Sequence, residues 1–249
     1  MLTVSDTDLG TPEPVWLSSP VLHELPPLEL IAGRRLVVVA PHPDDEILGA
    51  GGLMVAADRL GSEVTVVAVT DGEASHPGTA WTGARLAARR RGESRQALER
   101  LGLGQVDVVR CAIPDGAVAS HERRLAGLLR ELVDRDTCVA TTWRGDGHPD
   151  HEATGRAAAT AAAGTGAALL EHPVWAWHWA TPSLGLPIER ARRLDLDETV
   201  RRAKVRAIGS FRSQIAPLGP EPHDAAILPP AIRARFERSF EVHLCETPT

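Results

Sequence analysis

Short apolar runs and amphipathic stretches alternate along most of this chain. Leu36 to Ala40 is an apolar run of strand length, and Ile47 to Leu60 behind it has helical spacing. Val64 to Val69 is rich in β-branched residues and predicts a second strand. Trp81 to Leu101 predicts a long helix, with Gly102 and Gly104 as stop signals, and Val106 to Arg110 a third strand. His121 to Asp134 places Leu125, Leu128, Leu129 and Leu132 on one helical face. Thr137 to Thr142 then reads as a fourth strand, and Glu152 to Ala163 as an Ala-rich helix. Strands alternating with helices predict a Rossmann-like α/β fold: a mostly parallel sheet with helices on both faces and an active site at the carboxyl edge of the strands.

The ends are less regular. Residues 1 to about 30 are rich in Pro, Asp, Glu and Ser, which predicts an N-terminal arm on a single domain spanning 31–249. Beyond about residue 165 the periodicity loosens into a cap, with a helix near Glu198–Gly209 and a strand near Phe240–Leu244. Trp175-Ala176-Trp177-His178-Trp179 alternates as a strand would, with three Trp on one face and His178 on the other. Burial in the core is the favoured reading for the tryptophans, and a stacking platform for a sugar ring is the other.

Composition narrows the class. The 249 residues are 43% hydrophobic and 24% charged, as in an ordinary globular domain. A formal charge of −6 offers no basic footprint for nucleic acid. No secretory leader is evident, and no apolar run approaches the roughly 20 residues that span a bilayer, so the expectation is a cytoplasmic protein without a membrane partner. Cys111, Cys138 and Cys245 are widely spaced and odd in number, which indicates neither a disulfide framework nor a thiolate metal site.

The candidate chemistry lies in two clusters, His42-Pro43-Asp44-Asp45-Glu46 and His148-Pro149-Asp150-His151. Each follows an apolar strand and opens a helix, and the two turns can be neighbours in a parallel sheet. His42 and Asp45, three apart, can face one side at a helix entry while Asp44 faces a substrate. One of the two later histidines completes a set of two His and one carboxylate, the usual ligands of a catalytic zinc that keeps a position open; Fe2+ or another divalent ion suits them as well. Either cluster alone would be explained by helix capping or by surface histidines. Their coincidence at strand ends favours a metal site.

These residues also carry a resemblance. Val39 to Glu46 with Gly49-Ala50-Gly51-Gly52 is similar to the signature of the LmbE-like, or PIG-L, family of zinc-dependent N-deacetylases. Thr70 to Glu73, Arg90 to Glu93, Pro114-Asp115-Gly116, Asp146 to His151 and Lys204 through Gln214 agree with it. The resemblance implies zinc on His42, Asp45 and His151, Asp44 as general base, and His148 polarising the tetrahedral intermediate or protonating the leaving amine. It also implies that Arg90, Asp115 and Asp71 line or brace the pocket; His178 is a further candidate from its position opposite the tryptophans. Asp150 is expected to orient a histidine or to cap its helix. The implied reaction is removal of an N-acyl group, normally acetyl, from a small-molecule amino-sugar conjugate such as an N-acetylglucosamine derivative of secondary-metabolite or thiol biosynthesis. Assembly into a homo-oligomer stays open. The competing expectations are a nucleotide-binding Rossmann module, against which the turn filled by His-Pro-Asp-Asp argues, and a catalytically silent metal-binding homologue. The glycines at 49, 51 and 52 are better explained by close helix packing than by phosphate binding.

Overall fold

The computed structural model describes residues 9–246. Two short helices, α1 (Glu13–Ser18) and α2 (Pro20–His23), precede the sheet. There follow β1 (Arg35–Ala40), α3 (Asp45–Arg59), β2 (Val64–Ala68), α4 (Gly83–Leu101), β3 (Asp107–Arg110), α5 (Val118–Leu132), β4 (Thr137–Thr142), α6 (Pro149–Thr165) and β5 (Ala168–His172). Then come α7 (Ala176–Trp179), β6 (Ala191–Asp195), α8 (Glu198–Ile208), α9 (Arg212–Ile215), α10 (Pro230–Arg233) and β7 (Phe240–Cys245). The seven strands form one sheet in the order β3-β2-β1-β4-β5-β7-β6. The first five are parallel, and β7 and β6 close the far edge antiparallel.

Strand alternation splits the core into two layers. Leu36 and Val38 of β1 join Val64 and Val66 of β2 on the face covered by α3, α4 and α8. Val37, Val39, Val67 and Val69 point the other way, against α5 and the Ala-rich α6. The predicted mostly parallel sheet with helices on both faces is therefore the observed fold. At the outer edge β3 is exposed on both faces. Between β1 and β4 the strand order reverses direction, a topological switch point, and Val39 lies beside Thr141 there. The two predicted clusters sit on the turns that leave these two strands.

Several features depart from the sequence pattern. β5 and β6 were not expected, because Ala168–His172 and Arg192-Arg193 lack the alternation that marks a half-buried strand. Trp175 to Trp179 does not form the expected strand; it makes a single helical turn that disperses its tryptophans. Trp177 is buried, Trp175 half-buried and Trp179 exposed. The described part of the arm is held down: Trp16 is fully buried edge-on to Trp177, with ring centroids 4.9 Å apart, and its indole N–H donates to the Trp177 carbonyl at 3.1 Å. Residues 1–8 of the expected arm lie outside the described residues.

Candidate metal centre

His42, Asp44 and Asp45 occupy the turn from β1 into α3. Asp44 adopts φ 144°, a strained conformation for a residue with a side chain. Arg90 of α4 clamps this turn: its guanidinium donates to the carbonyls of Gly72 and Pro43 at 3.1 and 2.9 Å and to Asp44 Oδ2 at 3.2 Å. Arg90 does not make the surface ion pair that its spacing from Glu93 allows. Glu93 instead pairs with Arg89 and accepts from the Ser213 hydroxyl.

Three ligand atoms converge beyond that turn. His42 Nδ1 lies 3.3 Å from Asp45 Oδ2 and 3.2 Å from His151 Nε2, and the third side, His151 Nε2 to Asp45 Oδ2, is 3.3 Å. A tetrahedral ion with bonds of about 2.0–2.1 Å separates its ligands by roughly 3.3 Å. The triangle therefore has the dimensions of one face of a zinc shell. His148 is near as well, its ring centroid 4.6 Å from that of His151, and nitrogens of His42, His148 and His151 fall within 4.8 Å of one another. The Asp45 set is the tighter of the two.

The outer nitrogens are engaged as ligand histidines require. His151 Nδ1 meets Asp146 Oδ2 at 2.8 Å, and His42 Nε2 meets Asp115 Oδ1 at 3.2 Å and Asp150 Oδ2 at 3.4 Å. A carboxylate accepting the far N–H fixes the tautomer and turns the other lone pair toward the shared point. Asp150 also accepts from the backbone N–H of Gly116 and Val118, tying the Pro-Asp-Gly turn and the start of α5 to the site. Asp146, fully buried, further accepts from the N–H groups of Val174, Trp175 and Ala176. This anchor of His151 was missed as such in the sequence. Its only local signal is a carboxylate between two glycines just past a strand end.

Electrostatics agree with a cation site. Burial alone would lower the pKa of His151, but the charge of Asp45 and hydrogen bonds to Asp146 and Asp45 carry it up to about 9. His42 is likewise raised against its burial by hydrogen bonds to Asp115, Asp150 and Asp45. Asp115 is lowered: burial pushes it up, but the hydrogen bond and charge of His42, the Ala74 N–H and Arg90 together outweigh that. The cluster thus favours positive charge at its centre. Asp44 is pushed up to about 7, chiefly by burial and in spite of Arg90. His148 falls to about 3 through burial and the neighbouring His151 and His42, so its ring is neutral. Its Nδ1 accepts from the Asp150 N–H at 3.2 Å, leaving the ring proton on Nε2.

A cavity of about 680 Å³ opens over the triangle. Its lining combines the cluster residues with Ser75, Arg90, Asp115, Gln214 and His223 as polar groups and Pro77, Val174, Trp175, Ile227 and Leu228 as apolar ones. His178 is not among its lining residues. That side chain lies beside Gly10 and 3.4 Å from Arg235, because the helical turn at α7 directs it toward the arm. Asp71 pairs with Arg91 and Arg110 outside the cavity. Nor does the glycine segment form a phosphate loop: a Cβ on Gly49 would lie 1.9 Å from the His172 ring, and one on Gly52 2.3 Å from Leu196.

Residues 37–162, just over half of the chain, match the PIG-L family, described as GlcNAc-PI de-N-acetylase. A 1D-myo-inositol 2-acetamido-2-deoxy-alpha-D-glucopyranoside deacetylase of Tsukamurella paurometabola is 30% identical over 177 residues, 57% of this chain and 60% of that protein. A diacetylchitobiose deacetylase of Thermococcus kodakarensis is 25% identical over 49% of this chain and 46% of its own length. The chain spans 60% or less of these two relatives. Among solved structures, a teicoplanin deacetylase in a zinc-inhibited form superposes with a TM-score of 0.66 at 18% identity, covering 85% of this chain and 97% of that one. The N,N'-diacetylchitobiose deacetylase of Pyrococcus horikoshii gives 0.57 at 20% identity over 82% and 76%. Among the described residues, no helix is long and apolar enough to cross a membrane. Sequence match, sheet order and the His/Asp cluster at the switch point agree: the chain belongs to the PIG-L family of de-N-acetylases.

Proposed function

We propose that this chain is a metal-dependent N-deacetylase of amino-sugar conjugates, with His42, Asp45 and His151 as zinc ligands, Asp44 as general base and His148 as hydrogen-bond donor to the reacting amide. The observation that carries the reading is the 3.2–3.3 Å triangle of ligand atoms, with Asp44 on the adjoining cavity wall. A divalent ion bound there supplies Lewis acidity to the amide and to water. Asp44, held by Arg90 and raised toward neutrality by burial, takes a proton from the attacking water. His148, neutral with its proton on Nε2, donates a hydrogen bond to the developing oxyanion, and the proton taken up by Asp44 passes to the departing nitrogen. Arg90 positions the base, and Asp115 orients His42 while lining the cavity.

The cavity is larger than one acetylated hexosamine needs, and its lining mixes polar groups, among them Ser75, Gln214 and His223, with apolar side chains. The cluster carboxylates, Arg90 and His148 suit an amide and a hydroxylated ring, while Pro77, Ile227 and Leu228 suit a less polar part of the conjugate, since hydroxyls against them would lose hydrogen bonds. The test is release of free amine from N-acetylglucosamine conjugates by zinc-loaded protein. Asp44→Asn is expected to lower kcat by about 10²- to 10⁴-fold with zinc content retained. Full activity in that variant would remove Asp44 from the role of base, and absence of amine release across the conjugates would overturn the function.

A further inference from the structure

Halfway along α3 a buried ion pair enters at the level of the helix hydrogen bonds. The N–H groups of Gly52 and Leu53 donate to Glu241 Oε1 and Oε2 at 2.6 and 2.9 Å. Lys204 Nζ donates to the Leu48 carbonyl at 2.9 Å and to Glu241 Oε1 at 2.5 Å. In an undisturbed helix the Gly52 N–H and the Leu48 carbonyl are each other's partners. The ion pair therefore engages both ends of one rung of a helix that runs unbroken from Asp45 to Arg59, and so fixes its position against α8 and β7. Lys204 comes from α8 and Glu241 from β7, and they are 2% and 5% exposed. His243 Nε2 approaches Glu241 Oε2 at 3.4 Å from the same strand, and His172 packs against Gly49 one turn nearer the site.

This arrangement is costly if its purpose is stability alone. Removing two charges from water is expensive, and apolar side chains of similar volume often hold a fold as well or better. What such side chains cannot do is engage the rung. The engaged rung starts three residues after Asp45, so the direction of the first turn of α3 fixes where the Asp45 carboxylate stands relative to His42 and His151.

We infer that Lys204 and Glu241 are positioning residues for the metal triangle, acting through the Leu48–Gly52 rung; the inference rests on the metal-site reading above. In the double variant Lys204→Met, Glu241→Leu, the Gly52 N–H and Leu48 carbonyl are left to each other and the side-chain hold on this rung from α8 and β7 is lost. The expected result is that full-length protein binds zinc about 10- to 100-fold more weakly, the loss seen when outer-shell support of a ligand is removed, measured by competition with a chromophoric chelator. The denaturation midpoint in EDTA is expected to stay level or rise, which a merely structural pair would not allow. Lys204→Met with Glu241→Gln, which keeps an acceptor for the Gly52 N–H, serves if the first variant does not fold, and is expected to lose less affinity. A crystal structure of either variant reads the Asp45 Oδ2 to His151 Nε2 separation, 3.3 Å in the parent, with or without metal. Unchanged zinc affinity or an unchanged separation overturns the inference. A widened separation in a protein whose parent takes up no zinc supports the positioning role and overturns only the metal reading.

Discussion

His151 depends on Asp146 for both its tautomer and its direction. Asp146 in turn is fixed by three consecutive backbone N–H groups at 2.8–3.0 Å, which leave it no freedom to follow the imidazole. Asp146→Asn puts an amide NH2 where one carboxylate oxygen accepts or keeps only part of the set, so one donor in the cluster loses its acceptor. The expected outcome is zinc binding weaker by about 10- to 100-fold, read by metal titration. Wild-type affinity in this variant would show that His151 is held by its packing alone. His42 has two carboxylates behind it, Asp115 and Asp150, so loss of either alone should cost less than loss of Asp146.

Among the elements, α3 and α4 show how differently glycines behave in helices. A Cβ on Gly49 meets the ring of buried His172, whereas nothing lies within 4 Å of one on Gly92. Gly49→Ala is expected to destabilise by about 1–3 kcal/mol through overpacking. Gly92→Ala should stabilise by roughly 0.5–1 kcal/mol through helix propensity. Denaturant unfolding checks both, and equal signs would refute the packing argument. β7 carries an acid sensitivity. Lys204 and His243 hold the Glu241 carboxyl down at about 2 against its burial, below the ordinary 4.5. Its ionised form thus contributes stability above about pH 4.5 that is lost as pH falls toward 2. Glu241→Gln is expected to flatten stability against pH over that window; an unchanged slope would mean that other carboxylates set it. Much of this level was legible in the sequence. The strands β1, β2 and β4 announce themselves by β-branched runs, and the His-Pro-Asp turns behind two of them mark the site. What stayed hidden was long-range: the Lys204–Glu241 insertion joins residues 37 apart to a helix some 150 residues earlier. The tryptophan segment misled because a period of two and a single helical turn cannot be told apart over five residues.

For the whole molecule, the triangle spans two layers. Asp45 begins α3 on one face of the sheet and His151 lies in α6 on the other. An ion bound between them ties both layers at the switch point, so zinc should stabilise the fold as a unit. At free zinc about 100 times Kd the gain is about 2.7 kcal/mol, or roughly 5–10 °C in Tm for a domain of this size. Chelation should reverse it, as scanning calorimetry with and without EDTA would report; an identical Tm in both would count against a resident ion. The arm adds a consequence of another kind. Trp16 braces the turn at Trp177, and the residues opening that turn give Asp146 its three N–H bonds, through which His151 is aimed. If an ion sits in the proposed triangle, a segment that contributes no ligand would thereby help set how long it stays, and loosening it would shorten the ion's residence time while leaving every coordinating atom in the chain.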